Sequence, residues 1–363
     1  MYVRGEMRDR VRAALGAPAS SDRNGIGRTA LPRMIPLVHP TPIAIAVSID
    51  RMISTRRLRG SIPLLLLALG ACRGGGETLR TLDRVALPDS VSSEATLAID
   101  PLGRAWVGDA GALVAYDTAG QAVERVPVEL QGAPRLLWID SGRVYLRTAA
   151  ASAVIDSGKM SARRSDAPIA RDPRDRWVFT VSRTGSVMGL DVATLAPRWG
   201  WPDAGSRATA LAVSPLGDRV YVALAGSDRN DVPASIEVRD AFSGRRLSVH
   251  STGDPARRLE IAPDGTLYAL IGGEVVALRE GREGLRQLWR KGFGGLGAPD
   301  ADELRVSPSG MRLAVVARGK ELRLLAAPDG RVLEEGKQSP RDVAWDAAGR
   351  LWVLGAREIR IVR

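Results

Sequence analysis

Histidine and cysteine are nearly missing from this sequence of 363 residues, which contains two histidines and one cysteine. The single cysteine, Cys72, excludes a disulfide bond within the chain and a metal site built from several thiolates. The two histidines, His39 and His250, are too few for a zinc or copper cluster of imidazole ligands. A Ser-His-Asp triad needs a histidine with partners, but His250 stands alone at the end of a predicted outer strand, so we expect it to be a surface residue. The sequence therefore predicts no metal, no cofactor and no enzyme activity.

Aromatic residues are also scarce, at 4% of the chain, so a core must consist mainly of Val, Leu, Ile and Ala. The formal net charge of +11 is concentrated at the amino terminus. Residues 1–71 contain eleven of the 52 basic residues and four of the 41 acidic ones, so residues 72–363 carry a net charge of +4. This balance favours a solvated mixture of charges over a nucleic-acid-binding surface, and no nucleic-acid partner is predicted.

Residues 52–71 have the features of a signal peptide. Three arginines between positions 56 and 59 form a positively charged start, and the apolar run Ile62–Ala71 follows. About ten residues are too few to span a bilayer but match the apolar segment of a signal peptide. Residues 1–51, rich in Arg and Pro, precede this segment. Either Met52 is the true start, or residues 1–51 are a disordered extension that is removed with the signal.

The apolar run ends in Leu69, Gly70, Ala71 and Cys72. These residues resemble a bacterial lipobox, in which small residues precede the cysteine that becomes the first mature residue. The resemblance implies that Cys72 is lipidated, so that the chain is anchored to a membrane in the cell envelope, on its periplasmic or extracellular side. Residues 72–78 would form a short Gly-rich tether. The alternatives are a plain secretory signal, or an uncleaved amino terminus with an incidental cysteine.

Residues 79–363 contain seven segments built on one plan. Each has a short apolar strand, a turn that usually begins with Asp or Ser and contains Gly, and a second apolar strand. The first turn residues, spaced by 32 to 48 positions, are Asp100, Asp140, Asp172, Ser214, Ala262, Ser307 and Asp346. Four antiparallel strands in about 40 residues form one blade of a β-propeller. The sequence therefore predicts an all-β fold, a seven-bladed β-propeller.

The last repeat has only three strands, predicted at Asp342–Trp345, Leu351–Leu354 and Glu358–Val362. One spare strand, Leu79–Leu87, precedes the first repeat. Pairing of this amino-terminal strand with the last blade would close the ring and remove two free sheet edges. We therefore expect a closed ring, and a single propeller acting as a monomer.

The first strand of each repeat alternates apolar and other residues, and small side chains are expected on one face of these strands, where radial sheets converge at the axis. Four of the seven middle residues are Ala, which suits crowded strands near an axis. The seven are Ala98, Trp138, Ala170, Ala212, Glu260, Arg305 and Ala344. Glu260 and Arg305 are expected to form a structural ion pair rather than to supply a catalytic acid. Trp138 lies in the shortest repeat and is expected to fill a gap there.

Two family resemblances support this fold. The segment 214–222, with 236–244, resembles YVTN-type and WD40-like repeats. The segment Met188–Trp199 is similar to the tryptophan docking motif of quinoprotein-type propellers, with Leu195 in place of the usual Gly, and Trp289 takes the matching place in repeat five. Both resemblances imply a propeller, and neither implies one function.

The longest connections are expected on one face of the ring. They are 225–234, 200–207 and 291–302, and long loops on a rigid scaffold are where binding usually occurs. The predicted exposed binding residues are Trp201, Asp228, Arg229, Asp231, Phe293, Asp300 and Asp302. The pair of aspartates at 228 and 231 is read as an ordinary polar loop rather than a calcium site. The G-x-G-x-x-G match at 292–297 leads into a strand and is not read as a nucleotide site.

The sequence thus predicts a membrane-anchored extracytoplasmic propeller that binds an unknown protein or envelope partner. A first alternative is a propeller enzyme, either a quinoprotein that uses pyrroloquinoline quinone or a lactonase. A second alternative is a scaffold for the assembly of outer-membrane proteins, as in lipoproteins with quinoprotein-like repeats.

Overall fold

The computed structural model describes residues 80–128, 132, 135–140, 143–148, 151–156, 159–164, 168–174, 176–181, 186–201, 206–226, 232–293, 301–336 and 339–362. Leu69, Gly70, Ala71 and Cys72 lie outside the described residues. Within them the chain forms 28 β-strands in seven antiparallel sheets of four strands each. No helix in this described part is long and apolar enough to cross a membrane.

Each sheet is one blade, and its strands follow one another from the channel outward. Blade 1 comprises β2 (Thr96–Ile99), β3 (Ala105–Asp109), β4 (Ala112–Tyr116) and β5 (Ala122–Pro127). Blade 2 comprises β6 (Arg135–Asp140), β7 (Arg143–Arg147), β8 (Ala151–Asp156) and β9 (Lys159–Arg164). Blade 3 comprises β10 (Ile169–Arg171), β11 (Trp177–Val181), β12 (Val187–Asp191) and β13 (Pro197–Gly200). Blade 4 comprises β14 (Ala208–Val213), β15 (Arg219–Leu224), β16 (Ala234–Asp240) and β17 (Arg246–Gly253). Blade 5 comprises β18 (Ala256–Ile261), β19 (Leu267–Ile271), β20 (Glu274–Gly281) and β21 (Gly284–Gly292). Blade 6 comprises β22 (Glu303–Val306), β23 (Arg312–Ala317), β24 (Glu321–Ala326) and β25 (Val332–Gly336).

Blade 7 is built from both ends of the described chain, as the sequence predicted. It comprises β26 (Asp342–Trp345), β27 (Leu351–Leu354), β28 (Glu358–Val362) and the amino-terminal strand β1 (Thr81–Ala86). β1 pairs antiparallel with β28, with Val85 opposite Ile359. The amino-terminal strand therefore closes the ring.

The core is divided among the interfaces between neighbouring blades. Seven clusters of buried hydrophobic side chains are found in the described residues, one at each interface. The interface between blades 7 and 1 contains Val85 from β1, Leu97 from β2 and the fully buried Trp352 from β27. The closing interface is thus packed like the others, and burial of its apolar surface holds the ring shut.

A repeated turn fixes the inner edge of the first and last blades. In blade 1, Oδ2 of Asp100 accepts hydrogen bonds from Arg104 Nε at 2.6 Å and from Trp106 Nε1 at 3.1 Å. In blade 7, Oδ2 of Asp346 accepts the equivalent bond from Trp352 Nε1 at 3.0 Å. The spacing Asp-x-x-Gly-Arg-x-Trp therefore ties the turn to the strand that follows it.

The two faces of the ring carry different connections. We call the face with the turns between first and second strands, and between third and fourth strands, the turn face. The opposite face, where inner strands begin and blades are linked, is the connection face. Thr81 pairs with Val362, which pairs with Leu351 just after a turn. The chain therefore enters the ring on the turn face.

Candidate binding site

The middle residues of the inner strands face the channel. Trp138, Ala170, Ala212, Glu260 and Arg305 line a cavity of about 350 Å³. Arg305 Nη1 donates to Glu260 Oε1 over 3.3 Å, which confirms the predicted ion pair. Burial raises the pKa of Glu260, although the Arg305 charge acts to lower it.

Trp138 stacks on an aromatic ring of its own blade. Its ring centroid lies 4.4 Å from that of Tyr145, at an interplanar angle of 23°. The ring of Trp138 also lines the channel cavity, and its expected role in filling a gap stays a prediction.

Closer to the connection face, at the first residue of β22, the buried carboxylate of Glu303 is shared by three guanidinium groups. Arg258 binds Glu303 in a bidentate manner, with Nη2–Oε1 at 2.6 Å and Nε–Oε2 at 3.0 Å. Arg318 Nη2 lies 3.0 Å from Oε1, and Arg305 Nη1 lies 3.4 Å from Oε2. Burial acts to raise the pKa of Glu303, but these guanidinium groups, Arg258 first, hold it below its ordinary value. Three guanidinium groups therefore contact the one carboxylate of Glu303.

Asp342 lies in the same electrostatic environment. Its side chain is buried, and burial raises the pKa of its carboxyl group, although the Arg305 charge lowers it. The pKa of Asp342 is therefore raised and that of Glu303 lowered, because the nearby guanidinium groups outweigh the effect of burial only at Glu303.

The mouth of the channel on the connection face is lined by further arginines. A second cavity of about 350 Å³ adjoins the first, and its rim includes Arg135, Arg147, Arg207 and Arg257. Arg135 and Arg207 are exposed, and neither forms an ion pair with any residue of the described part of the chain. In this part, the two cavities together are lined by eight arginines and three carboxylates. The mouth is therefore strongly basic.

The positive field at the mouth acts on the arginines themselves. The pKa of Arg135 is lowered by desolvation and, next, by the charges of Arg258 and Arg318. Glu303 opposes this effect without cancelling it. An anion placed beside Arg135 would relieve the repulsion.

The mouth on the turn face has different chemistry. Pro173, Pro215, Pro263 and Pro308 line a cavity of about 310 Å³ there, together with Glu260. The channel thus has one arginine-rich mouth and one proline-rich mouth.

The expectation that Trp201 is an exposed binding residue is wrong. Its side chain is buried, at 5% exposure, in the cluster between blades 3 and 4. The indole packs against Gly244, which lies in the turn between the third and fourth strands of blade 4, with φ of +69°. A Cβ at Gly244 would overlap the indole ring. Trp201 therefore docks one blade onto the next.

The exposure expected for Phe293 is also wrong. Phe293 is 5% exposed and packs in the cluster between blades 5 and 6. The guanidinium carbon of Arg323 lies 5.3 Å from the centroid of its ring, and Arg323 Nη1 donates to the Phe293 carbonyl oxygen at 3.1 Å. The neighbouring blade therefore covers this side chain.

Asp302, also predicted to be an exposed binding residue, is only partly exposed. It lines the mouth on the connection face, and its Oδ2 accepts a hydrogen bond of 3.0 Å from the backbone N–H of Arg318. Asp228, Arg229, Asp231 and Asp300 lie outside the described residues.

The two tryptophans of the docking motif have different surroundings. Trp289 donates from Nε1 to the carbonyl oxygen of Ala327 in blade 6 at 3.0 Å and lies over Gly330. Trp199 instead packs on Gly189 of its own blade and stacks on Trp201 at 4.8 Å. Leu195, at the position of the motif's usual Gly, has a φ of +53°. A non-glycine residue is therefore held in the left-handed region at this turn.

Within the residues that the structure describes, no group of three or more His, Cys, Asp or Glu side chains is placed to hold a metal ion.

Comparison with known proteins identifies the fold. No protein-family model matches the sequence, and no curated protein matches it either. The β-propeller domain of Cps50 (Swd1) from Myceliophteria thermophila is similar in structure, with a TM-score of 0.64 and 12% identity, covering 78% of this chain and 99% of that one.

Two further solved structures are similar. A chain of a mitotic checkpoint complex has a TM-score of 0.61 at 12% identity, covering 84% of this chain and 99% of its own. Hydrazine synthase from Kuenenia stuttgartiensis has a TM-score of 0.59 at 14% identity, covering 74% of this chain and 94% of its own. The fold of the described residues is a seven-bladed β-propeller, as in these structures.

Proposed function

We propose that this chain is a lipid-anchored extracytoplasmic propeller that binds a protein partner of the cell envelope and performs no chemistry of its own. The observation that carries the proposal is the position of the arginine-rich mouth. Arg207 and Asp302, the last residues of two of the three long connections, both line it. A concave site and long connections on one face of a rigid ring form a natural binding surface.

The anchor gives this surface an orientation. Cys72 precedes Thr81 by nine residues, which reach at most about 30 Å when extended. Because β1 begins on the turn face, a lipid on Cys72 would hold the turn face toward the membrane. The connection face would then point away from the membrane, where a partner can approach it.

The turn face has side chains suited to this orientation. Exposed apolar residues stand at the tips of its turns, namely Leu102, Leu216, Phe242 and Met311. Apolar side chains exposed on one face favour contact with a membrane or another protein. In this proposal they rest against the bilayer surface.

The known structures support the partner class by analogy. One similar chain belongs to a mitotic checkpoint complex, in which it is part of an assembly. The same fold in this chain would provide the rigid ring on which an envelope complex is built.

The proposal is tested in two steps. First, the full chain and its Cys72→Ser variant are expressed in bacterial cells that are fed a palmitate analogue. We expect the analogue only on the unsubstituted chain, and only that chain in the membrane fraction. Equal labelling or equal membrane recovery of both chains would contradict the anchor.

Second, intact cells are crosslinked and the captured proteins are identified. The anchored chain should capture one envelope protein reproducibly, whereas the Cys72→Ser chain should capture less of it. Capture of an outer-membrane assembly machine would favour the scaffold alternative. Tight, stoichiometric binding of pyrroloquinoline quinone with Ca²⁺, measured by calorimetry, would contradict the non-enzymatic proposal.

A further inference from the structure

We infer that the arginine-rich mouth is a receptor for an acidic peptide segment of the partner, an inference that rests on the proposed function and specifies its ligand. The inference concerns the chemistry of the mouth, where arginines outnumber carboxylates. It assigns direct ligand contacts to Arg135 and Arg207.

The first support is a carboxylate that is already bound there. Glu303 shows how these guanidinium groups hold such a group, with a bidentate contact from Arg258 and a further contact from Arg318 at 3.0 Å. A glutamate or aspartate side chain from a partner could accept hydrogen bonds from guanidinium groups of the same type on the rim of the mouth. The mouth therefore contains one example of the arginine–carboxylate contact that the inference requires.

The second support is that rim arginines remain available. Arg135 and Arg207 are exposed at the rim and form no ion pair within the described residues. Glu303 and Asp342 attract the Arg135 charge, but Arg258 and Arg318 repel it more strongly. A carboxylate that arrives beside Arg135 would offset the repulsion from Arg258 and Arg318.

The third support is the type of cation. All the basic residues among the described lining are arginines. A guanidinium group has a planar fork of donors that matches a carboxylate in two parallel hydrogen bonds, whereas a lysine ammonium acts as a point charge. An arginine-only mouth thus favours recognition of planar carboxylates.

The size of the site favours a peptide over a nucleic acid. Each of the two adjoining cavities has a volume of about 350 Å³, enough for a few side chains and not for a duplex. The positive charge is local, because residues 72–363 carry a net charge of only +4. An extended acidic segment can place its carboxylates in the mouth while its backbone leaves along the connection face.

The test uses a fluorescent peptide of alternating Glu and Gly, and a matched peptide in which Gln replaces Glu. Binding to the full chain is followed by fluorescence anisotropy at low and at physiological salt. We expect the Glu peptide to bind and the Gln peptide not to bind, with weaker binding at higher salt.

The variant that isolates the mouth is R135Q/R207Q, compared with R125Q/R286Q as the control. Arg125 and Arg286 are also exposed and without an ion pair in the described residues, but they lie on the outer strands β5 and β21. Both double variants remove two charges. We expect binding of the Glu peptide to weaken by about tenfold or more in R135Q/R207Q and by less than about twofold in the control. Equal weakening in both would overturn the inference.

Partner capture separates this inference from the proposed function. If the unsubstituted chain captures a protein in cells and R135Q/R207Q captures the same amount, the inference is wrong and the proposed function stands. If the unsubstituted chain captures none, the proposed function fails. Tighter binding of a single-stranded oligonucleotide than of the Glu peptide would overturn the acidic-peptide assignment. Retained melting temperature in both variants shows that any loss comes from the site.

Discussion

The side chain of Asp342 accepts a hydrogen bond of 3.0 Å from the backbone N–H of Leu97, a residue 245 positions earlier in the chain. This bond joins the inner strand of blade 7 to the inner strand of blade 1. The ring is therefore closed twice, by β1 at its outer edge and by Asp342 at its inner edge.

We expect Asp342→Ala to destabilise the chain by about 1–3 kcal/mol, because it leaves the buried N–H of Leu97 without an acceptor. Asp342→Asn keeps an acceptor oxygen in place and should lose less. Chemical denaturation at neutral pH measures both. Equal stability of the alanine variant and the unsubstituted chain would show that the inner closure contributes nothing.

A second prediction concerns the docking of Trp201 on Gly244. Gly244→Ala should destabilise by about 1–3 kcal/mol more than Gly265→Ala. Gly244 and Gly265 both have positive φ, +69° and +82°, but a Cβ on Gly265 meets nothing within 4 Å. The difference between the two variants therefore measures the clash with the indole and not the backbone strain. Equal losses in thermal melts would refute the docking role of Trp201.

A third prediction concerns the cluster around Glu303. Glu303→Gln should destabilise by about 3 kcal/mol, since it leaves three guanidinium groups without their shared carboxylate. The control is Glu124→Gln, whose contact with Arg104 at 3.3 Å is exposed, and it should change stability by less than about 1 kcal/mol. A neutral effect of Glu303→Gln on the free energy of unfolding would show that the arginines are held by other contacts.

The turn aspartates predict a pH dependence. A hydrogen bond from Arg198, followed by bonds from Thr194, lowers the pKa of Asp191, and bonds from Ser243 lower the pKa of Asp240. Because the unfolded chain binds protons more tightly at these groups, their stabilisation is complete above the ordinary value of 3.8 and is lost as the pH falls below it.

The melting temperature of D191N/D240N should therefore fall less between about pH 5 and pH 3 than that of the unsubstituted chain. Asp342 and Glu260 have raised pKa values and act in the opposite direction, but they are unchanged in this comparison. An identical fall in both proteins would contradict the assignment to these turns.

Much of the ring could be predicted because its signals are local. The bounds Asp342–Trp345, Leu351–Leu354 and Glu358–Val362 agree with the three strands found there. Turn residues and short apolar runs specify such strands without help from distant residues. The last repeat has only three strands and one spare strand precedes the first repeat, which predicted the pairing of β1 with β28 that closes the ring.

The candidate site was harder to predict, because its members come from different blades. Arg135, Arg207 and Arg258 meet at one mouth only after the ring closes. Alternation along β18 and β22 could have placed Arg258 and Glu303 on the channel side, two residues before Glu260 and Arg305. Trp201 was misjudged because its partner, Gly244, belongs to the next blade, so its burial leaves no local signal.

Site-specific photocrosslinking in intact cells tests the central claim most directly. A photoreactive amino acid is placed in turn at Asp254, an exposed residue on the connection face three positions before Arg257 of the rim, at Leu216 on the turn face and at Leu288 on the outer strand β21. We predict that one envelope protein is captured strongly from position 254 and weakly or not at all from positions 216 and 288. Capture of the partner from position 216 or 288, with none from position 254, would contradict the proposal.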